Sequence, residues 1–218
     1  NIRELEARLQ SDNILRQANG LREAGEEEQA IALIKQQPAS VRYDLTLADW
    51  AQQRGDAQTA ILQYNAALSK EANNGDARLG LAEVYLAEGD KNAARAQVAQ
   101  LKGEDAESIN MQRRVALAEA GLGNAAQAQQ IFSRITTQAK AQPPSMESAL
   151  VLRDAARFQA QNGQPQQALE SYKDAMVAAG VATARPQDND AFTRLTRNDA
   201  KDAWLKRGIR SDAADLYR

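Results

Sequence analysis

Histidine and cysteine are both absent from the 218 residues of the chain. Without them the protein has no imidazole base, no thiol nucleophile and no disulfide, and it lacks the side chains that most zinc and copper sites use. Only carboxylates, Lys, Arg and Tyr remain for acid–base chemistry. The composition therefore excludes most classes of enzyme, and it rules out a secreted module held together by disulfides.

Residues that favour β-strands are scarce as well. Val and Ile together number 16, whereas Ala alone numbers 44. Because Ala is the strongest helix former and β-branched residues are enriched in strands, this balance predicts an all-α protein. The charge is nearly even, with 27 basic and 29 acidic residues, which argues against nucleic acid as a partner. The chain starts at Asn1, and we expect it to be a segment of a longer protein.

Five glycines punctuate the sequence at intervals of 30, 34, 34 and 40 residues. They are Gly25, Gly55, Gly89, Gly123 and Gly163. An alanine stands seven residues before each glycine, at Ala18, Ala48, Ala82, Ala116 and Ala156. Another stands five residues after it, at Ala30, Ala60, Ala94, Ala128 and Ala168. This register predicts helical hairpins, in which glycine supplies the left-handed turn and the alanines lie where the paired helices approach most closely.

The register resembles the tetratricopeptide repeat over residues 11–180. The resemblance implies a right-handed α-solenoid of five hairpins, preceded by the end of another helix at residues 1–10. The hairpins would begin near Ser11, Val41, Gly75, Ile109 and Ala149. The early tryptophan and the closing proline of the family are missing from every repeat. Residues 138–147 carry an insertion with two consecutive prolines, which predicts a break or a hinge before the fifth hairpin.

Binding to an extended inner face is the function that this repeat implies. In the family the first helix of each hairpin lines the concave face, and the matching positions form our candidate partner-binding set. The set is Arg42, Asp49, Gln52, Gln53, Asp76, Glu83, Asn110, Arg113, Arg153, Arg157 and Gln161. Its arginines in the fourth and fifth repeats form a basic ladder for acidic partners in one interpretation, and pair with nearby carboxylates in the other.

Two tryptophans lie outside the inner core positions of the repeat. Trp50 is in the second repeat and Trp204 is in the tail. Each either packs within the fold or stacks on a partner or a glycan. In residues 181–218 the glycine–alanine register is lost, and we expect the last helix to dock on the fifth hairpin through Trp204, Leu205 and Ile209.

Four stretches resemble a more specific family, the repeat scaffolds of bacterial cellulose secretion. They are Leu45–Asp56, Gln142–Phe158, Ser171–Val177 and Thr183–Arg218. The resemblance implies a non-enzymatic scaffold in the periplasm, tethered to the outer membrane and joining an inner-membrane synthase to an outer-membrane pore. Residues 181–218 would be the linker to that protein's own β-barrel. The implied partners are other proteins of the secretion complex and the cellulose chain, with no metal and no cofactor.

Two other interpretations remain open at this stage. One is a general peptide-binding scaffold of the same architecture without a polysaccharide role. The other is a glycan-processing enzyme that uses a pair of Asp or Glu side chains.

Overall fold

The computed structural model describes residues 2–101, 108–182 and 203–217, and every element in these ranges is helical. The helices are α1 Ile2–Glu23, α2 Glu27–Lys35, α3 Val41–Gln53, α4 Ala57–Lys70, α5 Gly75–Ala87, α6 Lys91–Val98, α7 Ile109–Leu122, α8 Ala125–Ala141, α9 Met146–Gln161, α10 Pro165–Ala182 and α11 Ala203–Ala214, followed by a 3-10 turn at Asp215–Tyr217. The chain divides into two compact units between Leu101 and Lys102. Unit 1 holds the hairpins α1–α2, α3–α4 and α5–α6, and unit 2 holds α7–α8, α9–α10 and the helix α11. The predicted fold class, an all-α solenoid of tetratricopeptide hairpins, is confirmed.

Each hairpin turns at its predicted glycine. All five turn glycines have a positive φ, between 73° and 93°, where a side chain would be strained. At the third turn the amide of Asp90 bonds the carbonyl of Tyr85 at 2.8 Å, closing the end of α5. The Asp90 carboxylate then accepts a hydrogen bond from the backbone amide of Ala93 at 2.9 Å and caps α6, a role for which aspartate is well suited. Asn124 holds the same place after Gly123, but its side-chain amide donates to the Glu119 carboxylate at 2.6 Å instead of capping α8.

The alanines of the register are the contact points of the hairpins. All ten are completely buried, with an exposed fraction of 0%. Larger side chains nine residues after four of the turn glycines are also buried, namely Ile34, Tyr64, Phe132 and Tyr172. Small and large residues therefore alternate along the packed faces, because the alanines let the two backbones approach while the larger residues fill the space toward the next hairpin.

The first helix departs from the prediction. We expected one helix to end near residue 10 and the first hairpin to begin at Ser11, but α1 is a single helix from Ile2 to Glu23. No glycine or proline interrupts residues 2–19, so nothing stops the helix there. The polar pair at Ser11 and Asp12 reaches across to α3: the Ser11 hydroxyl donates to the phenol oxygen of Tyr43 at 3.3 Å, and Asp12 pairs with Arg42 at 2.5 Å.

Unit 2 has one core that joins its two hairpins. Phe132 of α8 and Phe158 of α9 lie with their ring centroids 5.2 Å apart, and both belong to this core. The helix α8 continues to Ala141, which reduces the predicted insertion to a loop at residues 142–145. The hydroxyl oxygen of Ser145 accepts a hydrogen bond from the backbone amide of Ser148 at 3.0 Å and so caps the start of α9. The fourth and fifth hairpins thus share a core, and the division between units falls at residue 101 instead of in the 138–147 segment.

The tail helix α11 docks on the fifth hairpin. Ile209 is fully buried in the core of unit 2, and Ala213 and Leu216 pack against the same core. Docking through Ile209 is therefore confirmed. The side chains of Trp204 and Leu205 lie outside the described residues. Gly208 lies next to Ile209, and a Cβ atom there would be 2.4 Å from Nη2 of Arg153.

Candidate functional site

The candidate residues of unit 1 are joined to one another and to neighbouring helices. On α3, Arg42 pairs with Asp12 and Gln53 accepts from Arg22 at 2.8 Å. Gln52 donates to Glu83 of α5 at 3.3 Å. The phenol of Tyr64 lies 2.6 Å from an oxygen of Asp49 and 2.6 Å from the side-chain oxygen of Gln52. These contacts tie the second hairpin to the first and third.

Trp50 is part of the packing in unit 1. Its side chain is 4% exposed, and the guanidinium of Arg22 lies over the ring at 5.2 Å from the centroid. A cation above an aromatic face is an attractive arrangement. The ring has no open face for a sugar, so the structure supports the packing alternative for this residue. The other candidate, Trp204, is on α11, but its side chain lies outside the described residues.

Arg113 in the fourth hairpin is held from two sides. It forms an ion pair with Asp154 of α9, and its Nη2 donates to Asn110 at 2.9 Å. The side chains of Arg113 and Asp154 are only 18% and 12% exposed. A charge-assisted hydrogen bond with so little solvent exposure is strong, and removal of one partner would leave the other charge buried and uncompensated. Arg113 therefore binds α7 to α9, and most of its binding capacity is used within the protein.

The two arginines of the fifth hairpin share a carboxylate from the tail. Nε of Arg153 lies 2.8 Å from Asp212 and Nε of Arg157 lies 3.4 Å from the same oxygen. Arg153 and Asp212 are each 16% exposed, whereas the Arg157 side chain is 53% exposed. Of the two interpretations, the structure supports the one in which the arginines pair with nearby carboxylates, because internal carboxylates pair with all three. Only Arg157 keeps half of its surface open to a partner.

Sequence reasoning missed the two aspartates that pair with these arginines. Asp154 follows Arg153 directly on α9 and faces back to α7, and Asp212 comes from a helix outside the repeat register. The spacing of the alanines shows which helices pair, but it does not show which polar side chains meet across them. No signal in the sequence singles out Asp212.

An open cleft of about 350 Å³ lies beside this cluster. Its lining residues are Arg157, Ala160, Gln161, Tyr172, Asp212, Asp215 and Leu216. Tyr172 forms its buried wall. Burial of the phenol, with a smaller contribution from the negative charge of Asp212, raises the pKa of Tyr172 to about 12. The cleft combines hydrogen-bonding groups of both charges with an apolar wall, so it suits a polar, uncharged or weakly charged ligand group.

The raised pKa of Tyr172 predicts a loss of stability in alkali. The phenol ionises near pH 10 in the unfolded chain and near pH 12 in the folded one. The stabilisation that the buried neutral phenol provides is therefore fully present below pH 10 and is lost as the pH rises to 12. The free energy of unfolding, measured in urea between pH 9 and pH 12, should fall less with rising pH for Tyr172→Phe than for the unchanged chain. Parallel declines would contradict the burial of this phenol.

No metal-binding cluster is present among the residues that the structure describes. Within them, no group of three Asp or Glu side chains is placed to hold a metal ion. The carboxylates closest to the candidate positions are occupied by arginines, as Asp154 and Asp212 are. The exposed candidates all carry hydrogen-bonding groups, which suits binding of a polar surface. They are Arg42, Asp49, Gln53, Asp76, Asn110, Arg157 and Gln161.

None of the helices in the described parts of the chain is long and apolar enough to span a membrane.

The comparisons with known proteins agree with the hairpin architecture. The tetratricopeptide-repeat family matches residues 51–118. The fold is that of a tetratricopeptide-repeat solenoid. A tetratricopeptide protein of Thermus thermophilus matches with a TM-score of 0.62 and 18% identity, covering 84% of this chain and 96% of its own. A tetratricopeptide repeat protein of Parabacteroides merdae gives a TM-score of 0.60 at 13% identity, with 90% and 83% covered. At these identities the similarity concerns the fold alone.

The sequence itself has much closer relatives. The chain is 64% identical over all 218 residues to cellulose synthase operon protein C of Escherichia coli K12. It is also 64% identical over its whole length to the protein of the same name in Salmonella typhimurium LT2. The chain spans 19% of the length of the first relative and 18% of the second. It therefore corresponds to one segment of a much longer protein.

Proposed function

We propose that the chain is a non-enzymatic scaffold segment in the synthesis and export of cellulose. The observation that carries the proposal is the 64% identity over the whole chain to cellulose synthase operon protein C. The tetratricopeptide architecture supports it, because stacked helical hairpins expose long polar faces suited to holding other proteins. In this proposal the segment lies in the periplasm of a protein tethered to the outer membrane, and it helps to join the inner-membrane synthase to the outer-membrane pore.

The absence of catalysis in the proposal is supported by how the ionisable groups are used. The chain has no His and no Cys. The best-shielded carboxylates near the candidate positions, Asp154 and Asp212, hold arginines in place. A glycosidase would need two carboxyl groups facing a common cleft with one of them free to donate a proton. Asp212 and Asp215 do line one cleft, but Asp212 is paired with Arg153 and Arg157.

The proposed partners are other proteins of the cellulose secretion complex. Gln53 of unit 1 and Arg157 and Gln161 of unit 2 are among the exposed candidate positions. Long, hydrogen-bonding side chains of this kind, anchored on rigid helices, are what a polar protein interface requires. The cleft next to Tyr172 is the proposed place where a glucan hydroxyl group would bind if the emerging chain touches this segment.

Photo-cross-linking in intact cells tests the proposal. The cross-linking amino acid replaces Gln53 or Arg157 in the full-length protein, and the expected result is a covalent adduct with another protein of the cellulose complex. Leu62 and Val177 are matched controls, because they are 65% and 50% exposed but lie on the second helices α4 and α10. Adducts that form equally from the control positions would indicate random collision. Adducts only with proteins unrelated to cellulose would favour a general peptide-binding scaffold.

A further inference from the structure

Two of the five hairpins carry a tyrosine at the same repeat position. Tyr64 and Tyr172 each lie nine residues after their turn glycine, which is Gly55 in one hairpin and Gly163 in the other. Both side chains are buried, with exposed fractions of 1% and 3%. A buried phenol keeps a hydroxyl group that needs a hydrogen-bond partner. The two hairpins differ in whether they supply that partner.

The second hairpin satisfies its phenol from within. The hydroxyl of Tyr64 lies 2.6 Å from an oxygen of Asp49 and 2.6 Å from the side-chain oxygen of Gln52. These two residues precede the tyrosine by 15 and 12 positions and lie on the first helix of the same hairpin, α3. The residues at these two positions of the first helix therefore determine whether the phenol is paired inside the protein.

The fifth hairpin lacks both partners. Arg157 and Ala160 of α9 stand 15 and 12 residues before Tyr172. Alanine has no side-chain group that donates or accepts a hydrogen bond, and Arg157 pairs with Asp212 instead. Among the residues that the structure describes, none forms a hydrogen bond with the hydroxyl of Tyr172. A phenol buried to this extent is unfavourable unless a group from outside the protein completes its hydrogen bonds.

The same exchange of residues opens the cleft of about 350 Å³ next to Tyr172. Gln52 reaches the phenol of its own hairpin, whereas the single methyl group of Ala160 leaves the equivalent space open. Ala160 and Leu216 give the cleft apolar walls, and the phenol lies between them and the polar residues. The volume is near the lower end of the range of about 300–1,000 Å³ that is usual for ligand sites. It suits one small ring better than a bulky group.

The charges around the cleft favour a neutral ligand. Asp212 is paired with Arg153 and Arg157, and Asp215 adds a second carboxylate to the lining. An anion would approach two carboxylates, and a cation would approach the half-exposed guanidinium of Arg157. A ligand with several hydroxyl groups avoids both conflicts. Its hydroxyls donate to the carboxylates and accept from the guanidinium, from the Gln161 amide and from the phenol.

We propose that this cleft is a subsite for one pyranose unit of a neutral glycan. In the subsite the hydroxyl of Tyr172 bonds a sugar hydroxyl, and Ala160 and Leu216 contact the C–H groups of the ring. The class of ligand follows from the cleft, whereas the identification of the glycan as cellulose rests on the proposed function. A single open subsite binds weakly and releases quickly, which suits brief contact with a glucan chain in transit.

Titration of the 218-residue chain with cellotetraose, followed by NMR, tests the subsite. The amide signals of Arg157, Gln161 and Tyr172 are expected to shift as the sugar is added. Tyr172→Phe removes only the hydroxyl and should weaken the binding of cellotetraose about three- to tenfold. Ala160→Gln introduces the amide that the second hairpin has at this position. It should pair the phenol, fill the space and abolish binding. Circular dichroism shows whether each variant keeps its helices, and Tyr172→Phe decides the test if Ala160→Gln does not.

Tyr64→Phe is the matched control. It removes the equivalent hydroxyl in the second hairpin, which is already paired with Asp49 and Gln52, so the affinity for cellotetraose should not change. Tetragalacturonate tests the preference for a neutral ligand, because it is a chain of the same length with a carboxylate on every sugar. It should bind about tenfold more weakly than cellotetraose, since two carboxylates line the cleft.

Equal affinity of the Tyr172→Phe chain and the unchanged chain for cellotetraose would overturn the proposal. So would the absence of any shift at the three amides, or a loss of affinity in Tyr64→Phe as large as that in Tyr172→Phe. Tighter binding of tetragalacturonate would show that the cleft takes anions instead. Cross-links from Gln53 to cellulose proteins are measured separately and do not involve the cleft, so failure of sugar binding would leave the proposed scaffold function untouched.

Discussion

Gly80→Ala is expected to destabilise the protein, although the same exchange in an exposed helix is stabilising. Gly80 lies inside α5 and is buried. A Cβ atom at this position would lie 2.2 Å from Cζ of Tyr64 and 2.4 Å from Cε1. Tyr64 is 1% exposed and its phenol is held by Asp49, so the ring has no space to retreat. Overpacking of this kind costs about 1–3 kcal/mol, which exceeds the gain of about 1 kcal/mol from replacing a helical glycine.

Gly20→Ala is the matched control for this prediction. Gly20 is also inside a helix, α1, but nothing lies within 4 Å of the place where its Cβ would be. Alanine there should raise the free energy of unfolding by about 0.5–1 kcal/mol. The midpoints of urea unfolding of the two variants should therefore shift in opposite directions relative to the unchanged chain. In a Tyr64→Leu background the cost of Gly80→Ala should vanish, since the ring that it meets is gone. A stabilised Gly80→Ala variant would mean that α4 and α5 are not packed as described.

The hairpins were predictable from sequence because a single physical requirement repeats. Two helices that approach closely need a small residue on each side, and the turn between them needs a residue that tolerates positive φ. Ala82 and Ala94 around Gly89 meet both requirements locally, and the other hairpins do the same. The signal depends on spacing within one hairpin, so it is visible without any knowledge of the neighbours.

The contacts between hairpins were not predictable in this way. Asp154 reaches Arg113 from 41 residues away, one more than the interval between their turn glycines, and Asp212 reaches Arg153 from 59 residues away, beyond the end of the register. Arg22 covers Trp50 through a cation–π contact between two helices that sequence alone does not bring together. The helix α1 is a further example: Ser11 and Asp12, where we expected a new helix to begin, lie inside α1 and contact Tyr43 and Arg42 of α3. Contacts between helices thus determine which partner each polar side chain binds, and the local sequence pattern does not specify that partner.

Leucine at the alanine positions of the register is expected to have an effect at least as large as that of Gly80→Ala. Ala82 of α5 and Ala116 of α7 are both 0% exposed, so the additional carbon atoms of leucine have no cavity to fill. Forcing the paired helices apart should cost about 1–3 kcal/mol at each position. Thermal unfolding should give a lower midpoint for each variant. Hydrogen exchange should locate the loss of protection in α5 and α6 for Ala82→Leu, and in α7 and α8 for Ala116→Leu.

The exposed alanines of the same hairpins provide the comparison. Ala87→Leu at the end of α5 and Ala126→Leu near the start of α8 add the same atoms on surfaces that face solvent, and leucine is nearly as good a helix former as alanine. Both controls should therefore keep the midpoint of the unchanged chain. Equal midpoints for the buried and exposed substitutions would contradict the glycine–alanine register, because that register places the buried alanines at the closest approach of the helices. A drop confined to the buried positions would show that the interval of seven residues before the turn and five after it specifies the hairpin.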